Sequence, residues 1–195
     1  MEPAFGLERF FDAAERLVAD HGPGPAAFTR VGEHLRALAA DRTLIDASRL
    51  GALHDASAQA TILGRGPKGS TLMLGRFAAE APTPVHNHNS WGVICVIRGR
   101  DRHIRWARQD DGSQPGQATL RIVETSELGP GDVAWFGAPP ADIHSQQGLG
   151  EPAWELVYFG RDPNVRPRLY FDPDLGRVEE RAATQVPAKS RARGR

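Results

Sequence analysis

Two histidines separated by one residue, in the stretch "PVHNHNSWG", are the residues whose type and spacing first suggest chemistry. Alternate residues of a β-strand point to the same face, so a strand would place the imidazoles of His86 and His88 side by side. Such a pair can supply two neighbouring ligands of a metal ion, and a third must come from elsewhere. The strand-rich region offers His144, after the proline turn of "PPADIH", and His103, which lies among arginines. We predict that His144 completes the site and that His103 is exposed.

The order of these residues is that of the two motifs of a cupin β-barrel: His-x-His after a proline, Gly99, and a later Pro-x-x-x-x-His. A general cupin motif carries a glutamate four or five residues after its second histidine, where this chain has Gly92 or Val93. The predicted site therefore has three neutral imidazoles and no carboxylate. A divalent metal bound there would keep its full charge and favour anionic ligands. The ligand types alone do not distinguish iron from zinc.

The elements around these motifs are helical first and then rich in short strands. Apolar residues at three-and-four spacing predict one helix from Leu7 to about Val18, a second over 25–40 and a shorter one over 44–53. From about residue 60, seven or eight short runs with β-branched and aromatic residues alternate with Gly/Pro/Asp turns. We predict a mainly β protein: N-terminal helices packed on the barrel (1–58), a cupin double-stranded β-helix barrel (59–176) and a disordered tail (177–195).

Composition excludes several classes of partner. The 24 basic residues balance the 24 acidic ones, so no net charge attracts nucleic acid or an anionic membrane. The single cysteine, Cys95, excludes an intramolecular disulfide. Neither a secretory signal nor an apolar stretch of membrane-spanning length is recognisable. We therefore expect a soluble, cytoplasmic protein that binds neither nucleic acid nor membranes, and the sequence leaves its oligomeric state open.

The stretches "TPVHNHNSWGVICVIRG", "DIH" and "FDPDLGRVEE" resemble the thiol dioxygenases of the cysteine dioxygenase family. The Trp91-Gly92 pair and the "FDPDLGRV" ending place the resemblance nearest the bacterial 3-mercaptopropionate dioxygenase branch. The resemblance implies one Fe(II) ion on His86, His88 and His144. The implied reaction adds both atoms of O2 to the sulfur of a small thiol and yields a sulfinate.

The resemblance also implies further site residues, with departures from the family pattern. In "WELVY", Tyr158 matches the family's tyrosine beside the iron, and Trp154 and Leu156 replace the serine and histidine that normally orient it. Pro167 stands where the branch has its carboxylate-binding arginine, between Arg166 and Arg168. Either arginine would suit a carboxylate, because a guanidinium binds it with two hydrogen bonds. A substrate that lacks a carboxylate, or one with a bulkier apolar or aromatic body, would explain these departures together. Trp91, Trp154 and Leu156 would then line an apolar pocket, and the substrate would not be cysteine.

Two other readings stay open at this point. A three-histidine cupin can also cleave rings or diketones with O2, or act as a metal-dependent isomerase. The chain could instead be a cupin that binds a metal or ligand without catalysis. Metal content and thiol-dependent O2 consumption distinguish these possibilities from a thiol dioxygenase.

Overall fold

The computed structural model describes residues 6–40 and 60–183. Two helices open the described chain, α1 (Leu7–His21) and α2 (Pro25–Ala39), as predicted. Proline at the first position of α2 suits a helix start, because its missing N–H would have no partner there. The third predicted helix, over 44–53, lies outside the described residues. Neither helix is long and apolar enough to cross a membrane.

Strands make up most of the rest and form two antiparallel sheets, which confirms the predicted mainly β cupin barrel. Sheet A has the order β1-β2-β9-β4-β7 and sheet B the order β11-β10-β3-β8-β5-β6. The strands of the described chain are β1 (Ala60–Arg65), β2 (Thr71–Phe77), β3 (Val85–His86), β4 (Gly92–Arg98), β5 (Asp101–Arg108), β6 (Leu120–Leu128), β7 (Val133–Phe136), β8 (His144–Gly148), β9 (Ala153–Phe159), β10 (Arg168–Asp172) and β11 (Arg177–Arg181).

Strand β11 lies beyond residue 176, where we predicted that the barrel ends. Because β11 pairs along its whole length with β10, ordered structure continues beyond residue 176. The charges of this segment suggested a disordered tail, yet a strand at the edge of a sheet tolerates exposed charged side chains. The predicted tail is therefore wrong for 177–183, and 184–195 lie outside the described residues.

Sheet A separates two layers of buried side chains. Its outer face packs against α1 and α2, as predicted for the N-terminal helices, and forms with them a helix-facing layer that includes Phe10, Phe28, Leu35, Leu72, Leu74, Val93, Trp154, Leu156 and Tyr158. Its inner face contributes to an interior layer of Met73, Ile94, Phe136, Val157 and Phe159. Alternation along each strand sends neighbouring residues to opposite layers. The candidate site lies against the interior layer.

Candidate metal centre

Strand pairing in sheet B brings two of the predicted ligands together. His86 on β3 pairs directly with His144 on β8 and, on its other side, with Tyr170 on β10. Directly paired residues share one face of a sheet, so these three side chains form a row on the inner face of sheet B. His88 lies two residues beyond His86, after β3 has ended, and its ring turns toward the same point.

The three imidazoles converge through their Nε2 atoms. The Nε2 of His88 lies 3.0 Å from Nε2 of His86 and 2.9 Å from Nε2 of His144. All three side chains are buried, and within the described ranges they are the one group of histidine, cysteine and acidic residues close enough to hold a metal ion together. The predicted convergence of His86, His88 and His144 is thus present in the structure.

The other ring nitrogens have three different environments. Nδ1 of His86 lies 2.8 Å from the carbonyl oxygen of Pro84, which can only accept, so His86 donates from Nδ1 and carries a lone pair on Nε2. Nδ1 of His144 lies 3.0 Å from Nε2 of His103. Nδ1 of His88 is buried with no hydrogen-bond partner among the described residues.

The surroundings keep these rings neutral. Burial, together with the positive charge of Arg168, lowers the pKa of His86 to about 4. Burial first, and then neighbouring groups, hold the pKa of His88 and of His144 well below the usual value. Neutral imidazoles have the lone pairs that metal binding requires.

These contacts fit a metal ion better than they fit hydrogen bonds. A proton on Nε2 of His88 can satisfy one of its two Nε2 contacts but not both, whereas one cation satisfies all three nitrogens. Two nitrogen ligands at right angles, each about 2.1 Å from a metal, are about 3.0 Å apart. The observed separations of 2.9 and 3.0 Å match that spacing.

Hydrogen bonds fix the loop that carries His88. The backbone N–H of His88 donates to Oδ2 of Asp142 at 3.1 Å, and the backbone N–H groups of Asn89 and Ser90 lie near the same carboxylate. Asn87 pairs with Leu169 on β10 in both directions, at 3.1 Å through its N–H and 2.8 Å through its Oδ1. The carboxylate of Asp142 therefore holds the backbone of the loop that carries His88.

Aromatic side chains from sheet A form the opposite wall. Phe159 on β9 and Phe136 on β7 both pair with Gly92 on β4, so all three positions face the interior. The Phe136 ring lies 4.5 Å from the ring of His144, and the Phe159 ring 4.8 Å from that of His88. A Cβ added at Gly92 would overlap the Phe136 ring. The glutamate of the general cupin motif thus has no room at this position.

Arg168 and Tyr170 add polar groups beside the imidazoles. They lie two apart on β10 and so share its inner face, where the Tyr170 hydroxyl interacts with the Arg168 guanidinium. Tyr170 stacks on His86 with ring centroids 5.9 Å apart. Arg168 donates to the carbonyl oxygen of Pro163 at 3.2 Å and to Oδ1 of Asn164 at 2.9 Å. Among the described residues no carboxylate forms an ion pair with Arg168.

Tyr158, predicted to lie beside the metal, points the other way. Its ring is 5.1 Å from that of Phe10 on α1, and its hydroxyl interacts with Ser70, whose own hydroxyl donates to Glu15 at 2.6 Å. The prediction that Tyr158 shares the histidine cavity is wrong. The phenol inside the barrel belongs to Tyr170 instead.

The predicted apolar pocket residues lie with Tyr158. Trp154 and Leu156 lie four and two residues before Tyr158 on β9, so they share its face and belong to the helix-facing layer. Trp91 packs against Phe28 at 5.0 Å and against Tyr158 at 5.6 Å. None of the three faces the imidazoles, so they contribute to helix packing.

Two further predictions need correction. Arg166 is exposed, which leaves Arg168 as the arginine of this pair at the site. His103 was expected to be exposed because arginines surround it in sequence. Its side chain is 2% exposed, since alternation on β5 sends it inward while Arg102 and Ile104 point outward.

A pair of carboxyl groups lies elsewhere on the interior face. Asp101 on β5 and Glu155 on β9 are both fully buried, and Oδ2 of Asp101 and Oε1 of Glu155 have no hydrogen-bond partner among the described residues. Burial raises the pKa of Asp101 to about 6, and burial with the neighbouring charge raises that of Glu155 well above its usual value. Gln146 donates to Oε2 of Glu155 at 2.5 Å. The pair connects the two sheets.

Sequence reasoning missed Tyr170, Phe136, Phe159 and Asp142 as parts of the site. Asp142 was detectable, because it stands two residues before His144 in "ADIH". The aromatic wall required the register of sheet A, which depends on long-range pairing.

No protein-family model and no curated protein matches the chain. Several solved structures are similar to it in part. A hydroquinone 1,2-dioxygenase in complex with Cd2+ and 4-hydroxybenzonitrile has a TM-score of 0.43 at 13% identity, over 56% of this chain and 68% of that one. An oxalate oxidase in complex with glycolate has a TM-score of 0.41 at 16% identity, over 55% of this chain and 53% of that one.

An oxalate decarboxylase from Bacillus subtilis has a TM-score of 0.37 at 21% identity, over 57% of this chain. The matched region is 24% of that chain, so this protein corresponds to a small part of it.

Proposed function

We propose that this protein is a mononuclear non-haem Fe(II) dioxygenase that adds O2 to the sulfur of a small thiol. The observation that carries the proposal is the convergence of three buried, neutral imidazoles with no carboxylate among them. His86, His88 and His144 would hold the metal. The reaction RSH + O2 → RSO2H balances without a further reductant, because sulfur supplies all four electrons that O2 accepts.

The charge of the site supports an anionic substrate. Three neutral ligands leave the charge of a divalent metal uncompensated, and the guanidinium of Arg168 adds a positive charge that affects all three histidines. A thiolate would be attracted to such a site, and its proton would leave on binding. Bound Fe(II) would supply the redox chemistry that joins O2 to sulfur.

The side chains of this chain would bind and orient the substrate. Arg168, free of ion pairs with described residues, would bind an anionic group at the far end of the thiol. The Tyr170 hydroxyl, which interacts with Arg168, would hold the same group or the reacting sulfur. Phe136 and Phe159 would exclude water from the side of His88. The substrate on this account is a small thiol with a second anionic group.

The test is a panel of thiols offered to protein loaded with Fe(II) under anaerobic conditions. O2 consumption is followed with an electrode and products by mass, with thiols that carry a carboxylate compared with thiols that lack one. The proposal expects sulfinate and O2 consumed in equal amounts. Fully iron-loaded protein that consumes no O2 with any thiol would contradict it.

One observation favours a second candidate, O2-dependent cleavage of an aromatic ring or diketone. The tyrosine of the thiol dioxygenase pattern, Tyr158, is absent from the cavity, and Phe136 and Phe159 offer flat apolar surfaces next to His88 and His144. Such a substrate would stack on these rings. O2 consumption with β-diketones or catechols, and none with thiols, would support this candidate over the first.

A further inference from the structure

The three converging histidines differ in what fixes their outer nitrogen. A backbone carbonyl accepts from Nδ1 of His86, and Nδ1 of His88 has no partner among the described residues. Of the three Nδ1 atoms, that of His144 lies against a side chain, the imidazole of His103. His103, a fourth buried histidine, has no part in the proposed reaction and contacts His144 on the side away from the other two ligands.

The position of His103 is determined by the strands. It pairs with Gln146 on β8, two residues beyond His144, and alternation sends its ring into the barrel. Its ring meets that of His144 edge-on, with centroids 5.2 Å apart and an interplanar angle of 80°. The Phe136 ring lies 6.4 Å from it. Packing therefore holds the ring in place.

The location of one proton follows from this contact. Nδ1 of His144 and Nε2 of His103 are 3.0 Å apart, so a single proton lies between them. If Nε2 of His144 binds a metal, its proton must reside on Nδ1, and His103 must accept. His103 then carries its own proton on Nδ1.

We propose that His103 is a positioning residue of the metal centre, which accepts the Nδ1–H of His144 and so fixes the tautomer and orientation of that ligand. The inference rests on the three-histidine metal site of the proposed function and is independent of the substrate. Outer partners of ligating histidines are often carboxylates. A neutral imidazole in this role orients His144 without reducing the positive charge of the site.

The test measures Co2+ binding to metal-free protein by competition with a chromophoric chelator, together with the visible d–d spectrum of bound Co2+. His103→Leu removes the acceptor, whereas His103→Gln places an amide oxygen near the position of Nε2. The matched control is His21→Leu, which removes an exposed histidine of α1. We expect His103→Leu to weaken binding by about 10- to 100-fold and to change the spectrum. His103→Gln should restore both toward the wild type, and His21→Leu should change neither.

Circular dichroism and thermal unfolding of the metal-free variants separate this effect from a loss of fold. If His103→Leu does not fold, His103→Asn replaces it, because the shorter amide does not reach His144. A folded variant without an acceptor that binds Co2+ with wild-type affinity and spectrum would overturn the inference. A wild type that binds no Co2+ would overturn the metal site itself, so the two failures are distinguishable.

Discussion

Tyr158 and Phe159 are neighbours on β9, yet they belong to different parts of the molecule. Phe159 lies against His88, whereas Tyr158 lies against Phe10 of α1. The helix-facing side of sheet A is an apolar layer that fastens two helices to the barrel. The inner side faces titratable groups whose pKa values are shifted by burial. A shift of one residue in a strand exchanges these roles, so a residue's match to a motif does not determine its face.

The largest expected difference between the two sides concerns metal binding. His144→Ala removes an interior ligand, so we expect loss of stoichiometric metal binding while the fold persists. Leu156→Ala, on the opposite side of sheet A, should destabilise the protein and leave metal affinity unchanged. Metal analysis after desalting measures both. Retention of metal by His144→Ala would show that the site lies elsewhere.

Stability should depend more on the helix-facing side of sheet A than on its inner side. Phe10 is fully buried between α1 and sheet A, and replacing such a ring with alanine costs about 3–5 kcal/mol. Urea unfolding of Phe10→Ala should show this loss in the free energy of unfolding. The metal affinity of the folded fraction should equal that of the wild type. A large loss of affinity would mean that the helices shape the site directly.

The two arginines next to Pro167 provide a matched pair. Arg168→Met should raise KM for an anionic substrate by about 10- to 100-fold, since a hydrogen bond to a charged group contributes about 1.5–3 kcal/mol. Arg166→Met should have no effect, because that side chain is exposed. Steady-state kinetics on the best substrate of the thiol panel compares them. Equal KM values for the two variants would show that Arg168 does not bind the substrate.

The carboxyl pair inside the barrel predicts a dependence of stability on pH. The pKa values of Asp101 and Glu155 are raised by burial, so the folded state retains protons that the unfolded state releases. Stability is therefore fully present at low pH and is lost as pH rises through about 6 and above. The slope is up to about 1.4 kcal/mol per pH unit for each proton.

The buried histidines act in the opposite sense, since their pKa values are lowered and they cost stability below the usual histidine pKa. Unfolding of metal-free wild type and Glu155→Gln, compared over the same pH range, isolates the carboxyl pair because both proteins carry the same histidines. Glu155→Gln should flatten the decline of stability with rising pH. If the stability of this variant declined with rising pH as it does in the wild type, groups other than the carboxyl pair would cause the decline.

The smallest contrast is between the two tyrosines. Tyr158→Phe removes a buried hydroxyl that interacts with Ser70, so we expect a loss of about 1 kcal/mol in stability and unchanged activity. Tyr170→Phe should instead lower turnover or substrate affinity at similar stability. Unfolding and kinetics on both variants reveal the difference. If Tyr158→Phe inactivated the protein and Tyr170→Phe did not, Tyr158 would have the role beside the metal that the sequence predicts.

The sequence allowed prediction of the β-rich barrel, both described helices and the three histidines. These follow from local signals: periodicity, turn residues, and spacing around proline. The faces of Tyr158, Trp154 and His103 were not predicted correctly, because each depends on strand register or on long-range packing. His103 shows the limit most clearly, since alternation along β5 places it on the opposite face from Arg102, its neighbour in sequence.

The central claim is that His86, His88 and His144 together bind one metal ion on the inner face of the barrel. X-ray absorption at the iron edge of anaerobically Fe(II)-loaded protein tests it directly. The account predicts one iron per chain with three imidazole nitrogens at about 2.1 Å, and one imidazole fewer in His88→Ala. Protein that retains no iron, or a spectrum with fewer than three imidazoles in the wild type, would contradict it.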